Sequence, residues 1–86
     1  MPLFEPTGDL LSDMQSAIDN QVVAHITYTD RKGNFSDRNI APLEIRADSM
    51  YAADLAKMAL RLFKLDSIGT YEILEDTFVK DELQLG

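Results

Sequence analysis

The chain has 86 residues, 45% of them hydrophobic, a net charge of −7 and no cysteine. That length suits one small domain with a modest folding margin, and the missing thiols exclude disulfides and thiolate chemistry and favour a cytoplasmic protein. The acidic balance excludes a general nucleic-acid coat protein, which needs surplus Lys and Arg to neutralise phosphates, and no apolar run is long enough to cross a membrane.

The opening "MPLFEPTGDLL" lacks the basic and apolar regions of a secretory signal. The next stretch, "GDLLSDMQSAIDNQ", predicts a helix. Leu10, Leu11, Met14, Ala17 and Ile18 recur at helical spacing and form one apolar stripe. Thr7 or Asp9 can cap its start, the early acids suit the helix dipole, and Asn20 is a stop signal. The period then changes. In "VVAHITYT", Val22, Ala24, Ile26 and Tyr28 alternate with Val23, His25, Thr27 and Thr29, which predicts a strand. "DRKGN" is a turn around Gly33, and "FSDRNIAPLEIRA" resumes the extended pattern as the second arm of a hairpin. Pro42 cannot donate to a ladder and marks an edge, a bulge or a bend.

"AADLAKMALRLFKLD", residues 52–66, fits two templates. Ala52, Leu55, Ala56, Ala59, Leu60 and Phe63 suit a helix, which the composition also favours. As strands, Tyr51, Ala53 and Leu55 alternate, and so do Arg61, Phe63 and Leu65. "SIGTYEIL" reads as a turn at Gly69 and a short strand. "EDTFVKDELQLG" is an acidic tail with a strand or helical turn near Phe78 and Val79.

The order of these landmarks resembles the WYL-domain family. That family's pattern runs roughly I-x-Y, a Gly turn, R-x-x-x-P-L, a Trp-Tyr-Leu strand, then R-x-F-x-L-D-R-I. Ile26 and Tyr28, then Gly33, then Arg38, Pro42 and Leu43, then Tyr51, then Arg61, Phe63, Leu65, Asp66 and Ile68 fall in that order. Two positions depart from it. The triplet is Met50-Tyr51-Ala52, and Ser67 replaces an Arg counted among the family's basic pocket residues. The resemblance implies a mainly β fold with an N-terminal α-helix: a small Sm-like, SH3-type β-barrel of about five strands. It makes 50–56 and 60–67 successive strands, against the propensity reading, and divides the chain into an N-terminal extension (1–8), a WYL-like domain (9–79, helix 9–19 and barrel 21–79) and an acidic tail (80–86). Leu10, Met14, Ala17, Ile18, Ile26, Tyr28, Leu43 and Phe63 are then the expected core.

Charge is unevenly spread. Residues 1–20 carry Glu5, Asp9, Asp13 and Asp19 without a base, and residues 72–86 carry Glu72, Glu75, Asp76, Asp81 and Glu82 against Lys80. An anion site therefore has to be local and central. The resemblance implies one: Arg38, Tyr51 and Arg61 in a shared concave pocket, with His25 as a further ligand-binding candidate. Arg38 and Arg61 suit bidentate contact with phosphate, and Tyr51 suits stacking on a base. The plainer reading pairs the arginines internally with Asp37, Asp66 or Glu44, makes Tyr51 a core aromatic, leaves His25 on the polar face of its strand and leaves Asp30, Arg31 and Lys32 in a solvated turn.

No catalytic residues, metal ligands or cofactor are indicated. The serines have no G-x-S-x-G context and the carboxylates have no metal spacing. The family usually supplies ligand-sensing modules to bacterial and phage regulators. The expectation is a stand-alone, cytoplasmic regulatory module that binds a nucleotide or short single-stranded nucleic acid, signals to a protein partner, associates with itself and does not engage a membrane. The alternative is a non-catalytic structural or protein-interaction module whose acidic surface docks onto a partner protein.

Overall fold

The computed structural model describes residues 7–83. Residues 1–6 of the expected extension and 84–86 of the expected tail lie outside the described residues. The elements run α1 (Leu10–Asn20), β1 (Val22–Thr29), β2 (Phe35–Arg46), β3 (Ser49–Asp54), β4 (Ala59–Lys64) and β5 (Ile68–Thr77), with 3-10 turns at Leu65–Ser67 and Lys80–Glu82. The five strands form one antiparallel sheet in the order β4-β3-β2-β1-β5. No ladder joins β4 to β5 among the described residues, so both are edges. The protein is a small, mainly β domain with one N-terminal helix, as the sequence predicts.

Residues 52–66 are two strands joined by a tight turn rather than a helix. Cross-strand burial decides this: Met50 and Ala52 on β3 and Phe63 on β4 share one apolar face, and Met50 lies directly opposite Phe63. Pro42 sits at a bulge. The β1–β2 ladder ends at Ile40, and the β2–β3 register slips between Pro42 and Glu44. Gly69 is not a turn. It lies inside β5, where Thr27 Oγ1 approaches to 2.9 Å of the place a Cβ would occupy, so the glycine serves close strand packing.

One face of the sheet is concave and carries the core: Ala24, Ile26, Ile40, Met50, Ala52, Phe63 and Ile68, closed by Met14 from the helix. Of the expected core, Met14, Ala17, Ile26 and Phe63 are buried, while Leu10, Ile18, Tyr28 and Leu43 are half-buried at its margin. Asp9 caps α1, its carboxylate accepting from Ser12 N at 3.1 Å. The left-handed residue that closes the helix is Gln21, one position beyond Asn20: it takes φ 54 and its N–H returns to the last turn.

Asp13 has a role that the helical pattern does not disclose. Its side chain is fully buried. It accepts from Thr7 N (2.8 Å), Thr7 Oγ1 (2.9 Å) and Gly8 N (3.1 Å), and also from the Tyr71 hydroxyl on β5. It therefore fastens the entry segment and the helix to the sheet. Burial pushes this carboxyl up, but the donors from Thr7, Tyr71 and Gly8 outweigh it and hold the pKa below the ordinary 3.8. The same contact pushes the Tyr71 phenol up to about 12.

Asp13→Ala removes the acceptor that ties Tyr71 and the Thr7–Gly8 backbone to the helix and is expected to cost about 1–3 kcal/mol, read as a lowered urea midpoint at neutral pH. The pH dependence has a fixed sign. The unfolded carboxyl takes its proton near 3.8 while the folded one stays ionised. The stabilisation is then complete above that pH and is lost as pH falls toward the folded pKa. Unfolding midpoints measured down an acid series should drop more steeply in the parent than in Asp13→Asn.

Candidate functional site

Side chains alternate between the two faces of a strand, so register decides which candidates can meet. Arg38 stands two residues before buried Ile40 and shares its concave face. Arg61 lies opposite Ala52 and shares the face of Phe63. The two arginines converge on the part of the concave face that α1 leaves open. Their floor is aromatic. The Tyr28 and Phe63 rings meet edge to face at 5.1 Å, and the Arg38 guanidinium lies 6.0 Å from the Phe63 ring centre.

Arg38 and Arg61 differ in what holds them. Arg38 Nη1 donates to Asp54 Oδ2 at 2.5 Å, with the two side chains 20% and 2% exposed. Asp54 faces Ile40 across the β2–β3 ladder and so is the diagonal neighbour of Arg38. Its other oxygen accepts from Ala56 N at 3.1 Å, which anchors the β3–β4 turn. Burial pushes the Asp54 carboxyl up, but the hydrogen bond and charge of Arg38 hold it below 3.8. The Arg38 Nε–H is buried without an acceptor among the described residues. Arg61, by contrast, is exposed and makes no ion pair among the described residues.

The β1–β2 turn adds charge to the same place. Asp30, Arg31, Lys32 and Asn34 line an open depression of about 440 Å3 together with Tyr28, Ser36, Arg38, Arg61, Leu62 and Phe63. Asp30 is turned inward on its own loop, accepting from Lys32 N and Asn34 N at 2.9 Å each. The Asn34 amide is foremost in holding its carboxyl below the ordinary value. Arg31 and Lys32 are exposed and, among the described residues, unpaired.

Tyr51 lies apart from both arginines, while His25 shares a second depression with Arg38 and Asp54 but not with Arg61. Tyr51 falls between Met50 and Ala52, both of which face the core, so the two-residue period turns it to the convex face. There it lies opposite Glu44 and Leu62, with the Arg46 guanidinium 5.9 Å from its ring centre. His25 falls between buried Ala24 and Ile26 and is likewise convex. It faces Asn39 and Glu72 across the ladders, its Nδ1 2.7 Å from Asn39 Oδ1. Asp54, the actual partner of Arg38, was missing from the sequence-based candidates because only the register reveals the pair. The turn bases Arg31 and Lys32, which the plainer reading of the sequence leaves in a solvated turn, line the depression because they directly follow a strand whose last inward residue is Tyr28.

No family model matches the chain, and no curated protein matches it. Among solved structures it is similar to the proteasome accessory factor B/C (PafBC) of Arthrobacter aurescens, with a TM-score of 0.74 at 16% identity. The match covers 93% of this chain and 14% of that one, so the chain spans only a small part of that protein's length. At that identity the likeness shows the fold alone.

The different anchoring of the arginines has a measurable consequence. Arg38→Ala removes the partner of a buried carboxylate and is expected to lower stability by about 3 kcal/mol. Arg61→Ala should shift it by no more than about 0.5 kcal/mol. Parallel urea denaturation of the two variants checks the pair.

Proposed function

We propose that the protein is a non-catalytic, WYL-like regulatory module that binds an anionic ligand in the concave-face depression and signals the ligand's presence to a protein partner. One observation carries this reading. Of the eight bases in a chain of net charge −7, Arg31, Lys32, Arg38 and Arg61 line this single depression. Concentrating half the scarce positive charge in one concavity costs self-repulsion, which an incoming anion relieves. The similarity to a WYL-containing regulator supports the regulatory part.

The proposed ligand is a nucleotide or a short single-stranded nucleic acid. Arg61 and the turn bases meet phosphate as movable donors, and Arg38, fixed by Asp54, contributes a positioned charge. Asn34 and Ser36 offer neutral hydrogen-bond partners on the same wall. Ser67 belongs to the 3-10 turn after β4 and does not line the depression, so the departure at that position leaves these four bases in place. A cytoplasmic setting belongs to the same proposal.

The scaffold reading draws on one contrary feature, the Arg38–Asp54 pair, since an arginine tied to a carboxylate is satisfied without a ligand. Arg61 separates the two readings because it has no such partner among the described residues. Titration with nucleotides and short oligonucleotides at low and moderate salt is the test. Arg61→Ala should weaken binding by about 1.5–3 kcal/mol, and Arg61→Lys should restore little because the planar fork is lost. Affinity should also fall as salt rises. A parent protein that binds none of these anions at low salt overturns the reading and leaves the scaffold in its place.

A further inference from the structure

The two free edges of the sheet carry opposite charge. β4 holds Arg61 and Lys64 with no acid, while β5 holds Glu72, Glu75 and Asp76 with no base. Their outward side chains also match in kind. On the convex face β4 presents Leu60 and Leu62, 49% and 52% exposed, followed by Lys64. On the same face β5 presents Glu72, which lies opposite His25, and then Leu74 and Asp76, which line a depression together with His25.

The backbone of β4 is open in the same direction. Leu65 N donates to Asp48 O on the β2–β3 turn, whereas Lys64 N turns away from β3 and donates to the Tyr28 hydroxyl. Successive N–H groups along a strand alternate sides, so those of Leu62 and Leu60 also point away from β3, and there they have no partner among the described residues. An edge with exposed leucines, open amides and positive charge is a template for another strand.

We propose that the occupant is a second copy of this chain, with β4 of one molecule pairing along β5 of the next. Charge complementarity selects this joint over the like-charged alternatives β4–β4 and β5–β5. Leu62 centred on Leu74 places Lys64 beside Glu72 if the strands run antiparallel and beside Asp76 if they run parallel. Either direction therefore gives an apolar centre with a flanking ion pair. Among the described residues the internal competitor for Lys64 is Asp48, 3.7 Å away with both side chains more than half exposed, a weak hold. The joint is heterologous, so a joined pair keeps one free β4 edge and one free β5 edge and assembly does not stop at two.

Sedimentation velocity at tens of micromolar protein tests this, with three samples whose far-ultraviolet circular dichroism matches the parent. The parent should sediment as a species larger than a dimer and shrink as salt rises. Leu62→Asp with Lys64→Glu blocks the β4 edge, and Glu72→Lys with Asp76→Lys blocks the β5 edge. Each should sediment as a monomer. Mixed in equal amounts they should form a one-to-one dimer, because each supplies the edge the other lacks. Lys64→Glu alone, which touches no buried group, should shift the parent toward smaller species. A parent that stays monomeric overturns the proposal, as does a β5-blocked variant that still dimerises through β4, or blocked variants that sediment like the parent.

Discussion

Tyr28 and Phe63 belong to strands that are not neighbours. β2 and β3 lie between β1 and β4, yet the two rings touch edge to face, and the Tyr28 hydroxyl accepts the Lys64 amide at 3.2 Å. Such a contact requires the sheet to curl until its first and last hairpin arms approach across the concave side. The pair is worth only about 0.5–1.5 kcal/mol beyond its buried area. Its consequence is geometric. A curled sheet has an inside, and the inside has two ends. Met14 and Ala17 of α1 fill one end, with Asp13 clasping Tyr71 to hold the helix there. The other end stays open over the aromatic pair, and the bases collect at that mouth.

Once the sheet curls, the alternation of side chains sorts function from packing. Arg38 and Arg61 occupy inward positions at the open mouth of the curled sheet, where inward no longer means buried. His25 and Tyr51 occupy outward positions among buried neighbours and so face the convex side. The two arginines then diverge in energetics. Burying a guanidinium beside the core requires a counter-charge, and Asp54 provides it while also anchoring the β3–β4 turn through Ala56. Arg61 sits at the rim of the edge strand, where water supplies that service. An anchored charge beside a free one gives the depression a fixed reference point and an adaptable one.

Local chemistry in the sequence located most of the elements. The alternation in "VVAHITYT", the Gly33 turn and the stop at Pro42 each correspond to a strand, a hairpin and a bulge. Residues 52–66 could not be read from propensity, because Ala and Leu suit a helix until a facing strand makes their two-residue pattern useful. The ordered resemblance resolved them where composition did not. Part of the site was legible for the same reason: Arg38 and Arg61 stand at inward phases of recognisable strands. The Arg38–Asp54 pair and the convex position of Tyr51 depend on which residue of one strand faces which residue of another. The sequence carries that register only implicitly, in the bulge at Pro42 and in the turn at Ala47, which takes φ 53. Asp13 was hidden differently. In a helical first turn an acid looks like a partner for the helix dipole, and only the return of β5 beneath it reveals the clasp.

The contrast between the acidic chain and its basic depression also bears on what can approach it. At physiological ionic strength charge is felt over about 8 Å. A small anion within that range of Arg31, Lys32, Arg38 and Arg61 experiences mainly their attraction. A long duplex cannot confine itself to the depression. It would extend over surface shaped by Glu72, Glu75 and Asp76 on β5 and by Asp81 and Glu82 beyond it, where its phosphates meet repulsion without compensating bases. The same negative surface is opposite in charge to the β4 edge, the basic one of the two sheet edges among the described residues. In the proposed reading, scarcity of positive charge serves two selections at once: it limits the size of the anion that fits the concave mouth, and it leaves β4 as the strand edge on which an acidic strand can settle without repulsion.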